Sequence, residues 1–146
     1  MKKVIEFLRN NIKEKDSLVV ACSGGPDSMC LLDLVTKLKD ELNLTIIVAH
    51  VNHKLRIESD EEAKMVEEFA KEHNLVFELM ELNEYLNNTF TESDGRKKRY
   101  DFFNLLIKKY NANTLLTAHH GDDLIETILM RLTRGSNLSG YIGIKE

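Results

Sequence analysis

Leu18-Val19-Val20-Ala21-Cys22-Ser23-Gly24-Gly25-Pro26-Asp27-Ser28 is the stretch that decides the fold. Its opening run, Leu18 to Cys22, is apolar throughout, as in a strand buried on both faces of a parallel sheet. Ser23 to Gly25 make a small glycine loop, and Pro26 suits the first position of a helix, where its missing N–H costs nothing. Strand, glycine loop and helix start in that order build a phosphate cradle. The N–H groups at a helix start lack partners, the helix dipole adds partial positive charge, and adjacent glycines let an oxyanion approach the backbone. Ser23, Gly24, Gly25, Pro26, Asp27 and Ser28 are therefore the expected nucleotide-phosphate contacts.

The loop differs from the Gly-Lys-Ser/Thr cradle of kinases and GTPases, because no lysine stands between Ser23 and Leu34. Asp27 suggests Mg2+ bridging carboxylate and phosphates, since oxygen ligands suit that hard ion. Taken alone, the same residues also serve as a plain turn, with Asp27 stabilising the helix dipole by about 0.3–1 kcal/mol.

Outward from the loop, short apolar runs alternate with helical periodicity, the pattern of an α/β fold with a parallel sheet. Strands are expected at Leu18 to Cys22, Thr45 to His50, Val76 to Leu82 and Thr114 to Ala118. Leu31, Leu34, Val35, Leu38 and Leu42 recur at helical steps and predict a helix laid on the sheet. Ser59 with Glu62 reads as a capping box ahead of a Val66, Phe69, Ala70 stripe. Tyr100, Phe103, Leu106, Ile107 and Tyr110 predict another helix, and Asp122 to Thr133 a last one with Gly135 as its stop. A helix near Lys3 to Ile12 precedes the first strand. The expected fold class is thus a three-layer, doubly wound, mainly parallel sheet.

The 146 residues suit one domain with its own core, and 42% hydrophobic and 30% charged residues describe an ordinary globular chain. No apolar run approaches the roughly 20 residues of a membrane span. Glu6 and Arg9 interrupt the N-terminal apolar stretch, so a secretory signal is not expected and the cytoplasm is. Cys22 and Cys30 match neither a zinc spacing nor a redox pair and read as buried thiols. The net charge of −4 argues against a strongly basic surface. Charge is nonetheless segregated: acidic residues crowd Glu58 to Glu72, while Arg96, Lys97, Lys98 and Arg99 form a basic run that is either a solvated face or a contact for polyanions.

Ligands of open parallel sheets lie beyond the carboxyl ends of the strands, where this sequence places His50, Asn52, His53, His119, His120, Asp122 and Asp123. A zinc site is disfavoured, because adjacent histidines on a strand point to opposite faces. A magnesium-nucleotide site fits better, with Asp123 joining Asp27, although Asp122 and Asp123 also serve simply as first-turn carboxylates of a helix.

Ser23 to Ser28 resembles the SGGxDS loop of the N-type ATP pyrophosphatases. His50-Val51-Asn52-His53-Lys54-Leu55-Arg56, Gly95-Arg96-Lys97-Lys98-Arg99-Tyr100-Asp101-Phe102-Phe103 and Thr117-Ala118-His119-His120-Gly121-Asp122-Asp123, followed by Glu126-Thr127 and Arg131-Leu132-Thr133-Arg134-Gly135-Ser136, resemble the signatures of the tRNA(Ile)-lysidine synthases within that group. Ordered blocks in register are far more specific than any one of them. Gly95, Asn137 and Cys22 depart mildly from the usual pattern.

The resemblance implies a Rossmann-like adenine nucleotide alpha hydrolase fold, with ATP and Mg2+ as cofactors. Its partners would be free L-lysine and tRNA(Ile) with a CAU anticodon. The wobble cytidine attacks the α-phosphate of ATP through its C2 oxygen, releasing pyrophosphate, and lysine then displaces AMP. Asp27, Arg96, His119 and Asp123 are the implied catalytic residues, Asp27 and Asp123 the metal ligands, and His50 joins Ser23 to Ser28 in binding ATP. Cytidine thiolases use extra cysteine pairs that this chain lacks. Another tRNA-modifying ATP pyrophosphatase, or a nucleotide-binding module without catalysis, are the alternatives. The chain is shorter than members of that family, so the expectation is an incomplete domain without tRNA-binding domains. An uncovered strand edge would then favour a homodimer or a weakly folded monomer.

Overall fold

The computed structural model describes residues 2–52, 57–81, 92–120, 125–134 and 137–145, some of them by backbone alone. The strands are β1 (Ser17–Ala21), β2 (Thr45–Asn52), β3 (Val76–Glu81), β4 (Thr114–His120), β5 (Ile125–Arg134) and β6 (Asn137–Lys145). They form one sheet in the order β3-β2-β1-β4-β5-β6. The helices are α1 (Lys2–Asn11), α2 (Pro26–Leu42), α3 (Ile57–Glu72) and α4 (Glu92–Tyr110).

β1 is central and parallel to β2 and β4, with Val20 facing Val48 on one side and Leu116 on the other. Its Leu18, Val19 and Val20 are fully buried, as an all-apolar run in a parallel sheet requires. Successive residues face opposite layers. Leu18, Val20, Ile46, Val48 and Leu116 pack with α1, α2 and α3, whereas Val19, Ile47, Ala49 and Leu115 pack with Phe103, Leu106 and Ile107 of α4. The predicted stripe of α4 is thereby realised, with Tyr100 and Tyr110 half-buried at its ends. The chain winds from β1 outward to β3 and returns through α4 to β4, so the strand order reverses between β1 and β4.

The expected helix at Asp122 to Thr133 is not found. Ile125–Arg134 is a strand, antiparallel to β4 from His120↔Ile125 to Thr114↔Leu132, and β6 pairs antiparallel beyond it. An apolar run this short fits either period, and β-branched Ile125, Thr127, Ile128 and Thr133 suit a strand. Pairing decides: the free edge of β4 supplies a row of backbone partners. β5 and β6 thus continue the sheet beyond β4. The predicted stop at Gly135 lies outside the described residues. Ser59 is not a cap either, because α3 already includes Ile57.

At the amino ends of β1 and β4, the Ser17 N–H donates to Asn113 Oδ1 at 3.0 Å and the Asn113 N–H donates to the Ser17 carbonyl at 2.8 Å. Asn113→Ala keeps the backbone bond and removes the other. We expect a loss of about 0.5–1.5 kcal/mol in urea unfolding, with an unchanged denaturant slope.

Glu78 of β3 accepts hydrogen bonds from Lys109 at 2.8 Å and from the Tyr110 hydroxyl, tying the edge strand to the end of α4. These donors, Lys109 first, hold its carboxyl below the usual glutamate range, and Glu78 in turn raises the pKa of Lys109 and Tyr110. A lowered native pKa contributes stability that is complete above the unfolded value and is lost as pH falls through the native one. Glu78→Gln should therefore flatten the acid limb of a melting-temperature profile, with the parent losing more stability between pH 6 and pH 3.

Candidate functional site

The loop after β1 lies where the strand order reverses, the position at which a doubly wound sheet opens a crevice. Three features shape it for an anion. Gly24 has φ +90°, a conformation side chains rarely adopt, and a Cβ there would meet Glu62 Cβ at 3.2 Å. Gly25 is the N-cap of α2, without a side-chain capping bond, and Pro26 at the helix start brings no N–H. The opening turn of a 17-residue helix therefore presents backbone donors and the positive end of its dipole ahead of Gly25.

The two serines organise this loop from within. Ser28, 6% exposed, donates to the Gly25 carbonyl at 3.2 Å and accepts from the Ser23 N–H at 3.1 Å. With that proton committed, the Ser23 hydroxyl donates to Ser28 Oγ at 3.1 Å and accepts from the Gly25 N–H at 3.3 Å. Ser28, expected as a phosphate contact, is engaged inside the loop, whereas Ser23 is exposed. Cys22 is buried with Sγ at 3.5 Å from Met29 Sδ, and burial pushes its thiol pKa up, so it serves as packing. Cys30, read as buried, is half-exposed.

The second block reaches the loop from the side. His50 is 2% exposed and its Nδ1 lies 2.7 Å from the Cys22 carbonyl. Asn52, 3% exposed, donates through Nδ2 to Asp60 Oδ1 at 2.9 Å, joining the carboxyl end of β2 to α3. Glu62 of α3, expected in a capping box, lies against Gly24. That contact was missed because no local pattern reports which loop a helix faces; a glycine pair followed by a helix was the only hint.

Asp27 is the second residue of α2, Arg96 falls near the start of α4, and His119 pairs with Thr127 beside an irregularity in β4. Their side chains lie outside the described part of the chain, as does Asp123 entirely. The backbone still places all three at one rim: α4 leads from the carboxyl end of β3 back to the amino end of β4, so its beginning lies at the carboxyl ends. Lys97 is exposed there, and Lys98 and Arg99 are half-exposed. No described cluster of three His, Cys, Asp or Glu side chains could hold a metal ion. No helix among the described residues is long and apolar enough to cross a membrane.

The PP-loop domain profile matches residues 1–146. The chain belongs to the PP-loop domain family. Membership in this family implies that the chain binds ATP, and the glycine loop at the strand reversal is the candidate PP-loop. It is 45% identical over 142 residues to a tRNA(Ile)-lysidine synthase of Clostridium tetani, covering 93% of this chain and 30% of that protein. A tRNA(Ile)-lysidine synthase of Clostridium perfringens is 40% identical over 151 aligned positions, covering 99% of this chain and 32% of its own length. The PP-loop chain thus spans about a third of the length of the curated relatives it matches. A solved structure, the U34-tRNA thiolase NcsA from Methanococcus maripaludis, shares the fold with a TM-score of 0.64 at 17% identity, over 80% of this chain and 43% of that one.

Proposed function

We propose that this PP-loop domain carries the adenylating site of a tRNA(Ile)-lysidine synthase. One observation carries the reading: an uncapped helix start, with Gly24 at φ +90°, lies at the strand reversal of a chain 40–45% identical to such enzymes. In this reading the loop holds the β- and γ-phosphates of ATP by the backbone donors at the start of α2. The wobble cytidine C2 oxygen bonds to the α-phosphorus as the bond to pyrophosphate breaks. The amine of lysine then bonds to C2 and AMP leaves.

Arg96 is assigned to the α-phosphate or the activated base, since a planar guanidinium grips an oxyanion with two donors. His119 shares that task or orients the base. Asp27 and Asp123 are assigned to Mg2+, which would supply charge neutralisation of the phosphates. The basic run from Arg96 to Arg99 faces tRNA phosphates in this scheme. A single N-type ATP pyrophosphatase domain over these residues, a cytoplasmic location and a homodimer complete the proposal; light scattering that gives a monomer at high concentration removes the dimer.

The test mixes the protein with ATP, Mg2+, lysine and tRNA(Ile) bearing a CAU anticodon, and follows pyrophosphate release. Release that depends on this tRNA supports the reading. Tight ATP binding without pyrophosphate release makes the domain a nucleotide-binding module instead.

A further inference from the structure

We infer that His50 is a positioning residue that sets the PP-loop from behind, an assignment that rests on the ATP-binding reading above. A carbonyl oxygen can only accept, so the 2.7 Å contact with Cys22 requires the proton on Nδ1. His50 is 2% exposed, and a buried hydrogen bond of this length leaves the ring little freedom.

The carbonyl it holds is the last one before the glycine loop. The Cys22 N–H already donates to the Ala49 carbonyl at 2.9 Å, so β2 grips residue 22 twice, once by backbone and once by the His50 ring. The peptide unit joining Cys22 to Ser23 is planar, so fixing its C=O fixes the opposite direction of the Ser23 N–H. That N–H donates to Ser28 Oγ at 3.1 Å, and Ser28 Oγ in turn donates to the Gly25 carbonyl at 3.2 Å. A continuous chain of bonds therefore runs from His50 through the Cys22–Ser23 peptide to the N-cap of α2. Its effect is to aim the backbone donors that receive the leaving pyrophosphate, with no contact between His50 and nucleotide needed.

His50→Leu removes the donor, and His50→Asn offers an amide N–H close to the place of Nδ1. Calorimetry with pyrophosphate, ATP and adenosine, each with Mg2+, reads the loop separately from the rest of the pocket. His50→Leu should bind pyrophosphate and ATP roughly tenfold more weakly and adenosine unchanged, with most of the loss restored in His50→Asn. Parental affinity in His50→Leu, or an equal loss for adenosine, overturns the proposal.

A ligand-free readout separates this proposal from the ATP-binding reading. Nitrogen-15 spectra of the parent should show the ring of His50 protonated at Nδ1, and His50→Leu should exchange its Ser23 amide proton faster. An unprotonated Nδ1, or unchanged exchange, overturns the proposal. Absent binding of every probe by the parent, with both spectral results as expected, removes the ATP-binding reading and leaves the brace standing. Should His50→Leu fail to fold, the ring spectrum and the His50→Asn titrations decide.

Discussion

Replacing Arg96 by alanine lowers tRNA-dependent pyrophosphate release from ATP by about 100- to 1000-fold, the usual cost of removing one positioned donor from a developing charge. The expectation combines chemistry with placement. The start of α4 lies at the same rim as the PP-loop, because the helix must run from the carboxyl end of β3 back to the amino end of β4. Single-turnover measurement of the adenylation step isolates the effect, since ATP affinity should change little where β- and γ-phosphate contacts dominate. Arg96→Lys should recover only part of the rate, as an ammonium lacks the planar fork. Near-parental adenylation by Arg96→Ala removes Arg96 from the site.

Gly24→Ala lowers ATP affinity roughly 5- to 150-fold, the equivalent of about 1–3 kcal/mol for a side chain held in a sparsely populated backbone conformation. Gly24 has φ +90°, and an added Cβ would stand 3.2 Å from Glu62 Cβ, so Glu62 must also yield by a few tenths of an ångström. Calorimetry with ATP and Mg2+, paired with a thermal melt, locates the cost. Lost affinity at parental melting temperature means that the loop has moved away from its binding conformation. Lost stability at parental affinity means that the loop keeps its shape and the fold bears the strain. Glu62→Ala in the Gly24→Ala background should relieve the steric part and leave the backbone part. Unchanged affinity and unchanged melting temperature together would refute the need for glycine at this position.

Much of this was legible before the structure. The all-apolar Leu18 to Cys22, Ser23-Gly24-Gly25 and Pro26 are local signals, and each reports a local property: burial on both faces, a permissive backbone and a helix start. The strands at Thr45, Val76 and Thr114 and the stripe of α4 followed from periodicity for the same reason. Ile125–Arg134 failed as a helix because periodicity in a short apolar run does not separate the two periods, and the available edge of β4 took the segment as a strand. For Ser28 and His50, both expected to touch nucleotide, the structure adds bonds that no local pattern reports: Ser28 bonds within the loop and His50 bonds the Cys22 carbonyl.

The sequence by itself determined the order of strand, loop and helix, and with it a glycine turn shaped for an anion, because those preferences are carried by neighbouring residues. Only the tertiary structure decided which side chains stand around that turn. His50 lies 28 residues from Cys22, and Glu62 belongs to a helix that follows another strand, so neither contact has a local signature. They meet because parallel pairing sets Ala21 beside Ala49 and because α3 must lay its apolar stripe on the same sheet face as α2. Register and layer are properties of the assembled sheet, and they turn a glycine turn into a braced loop.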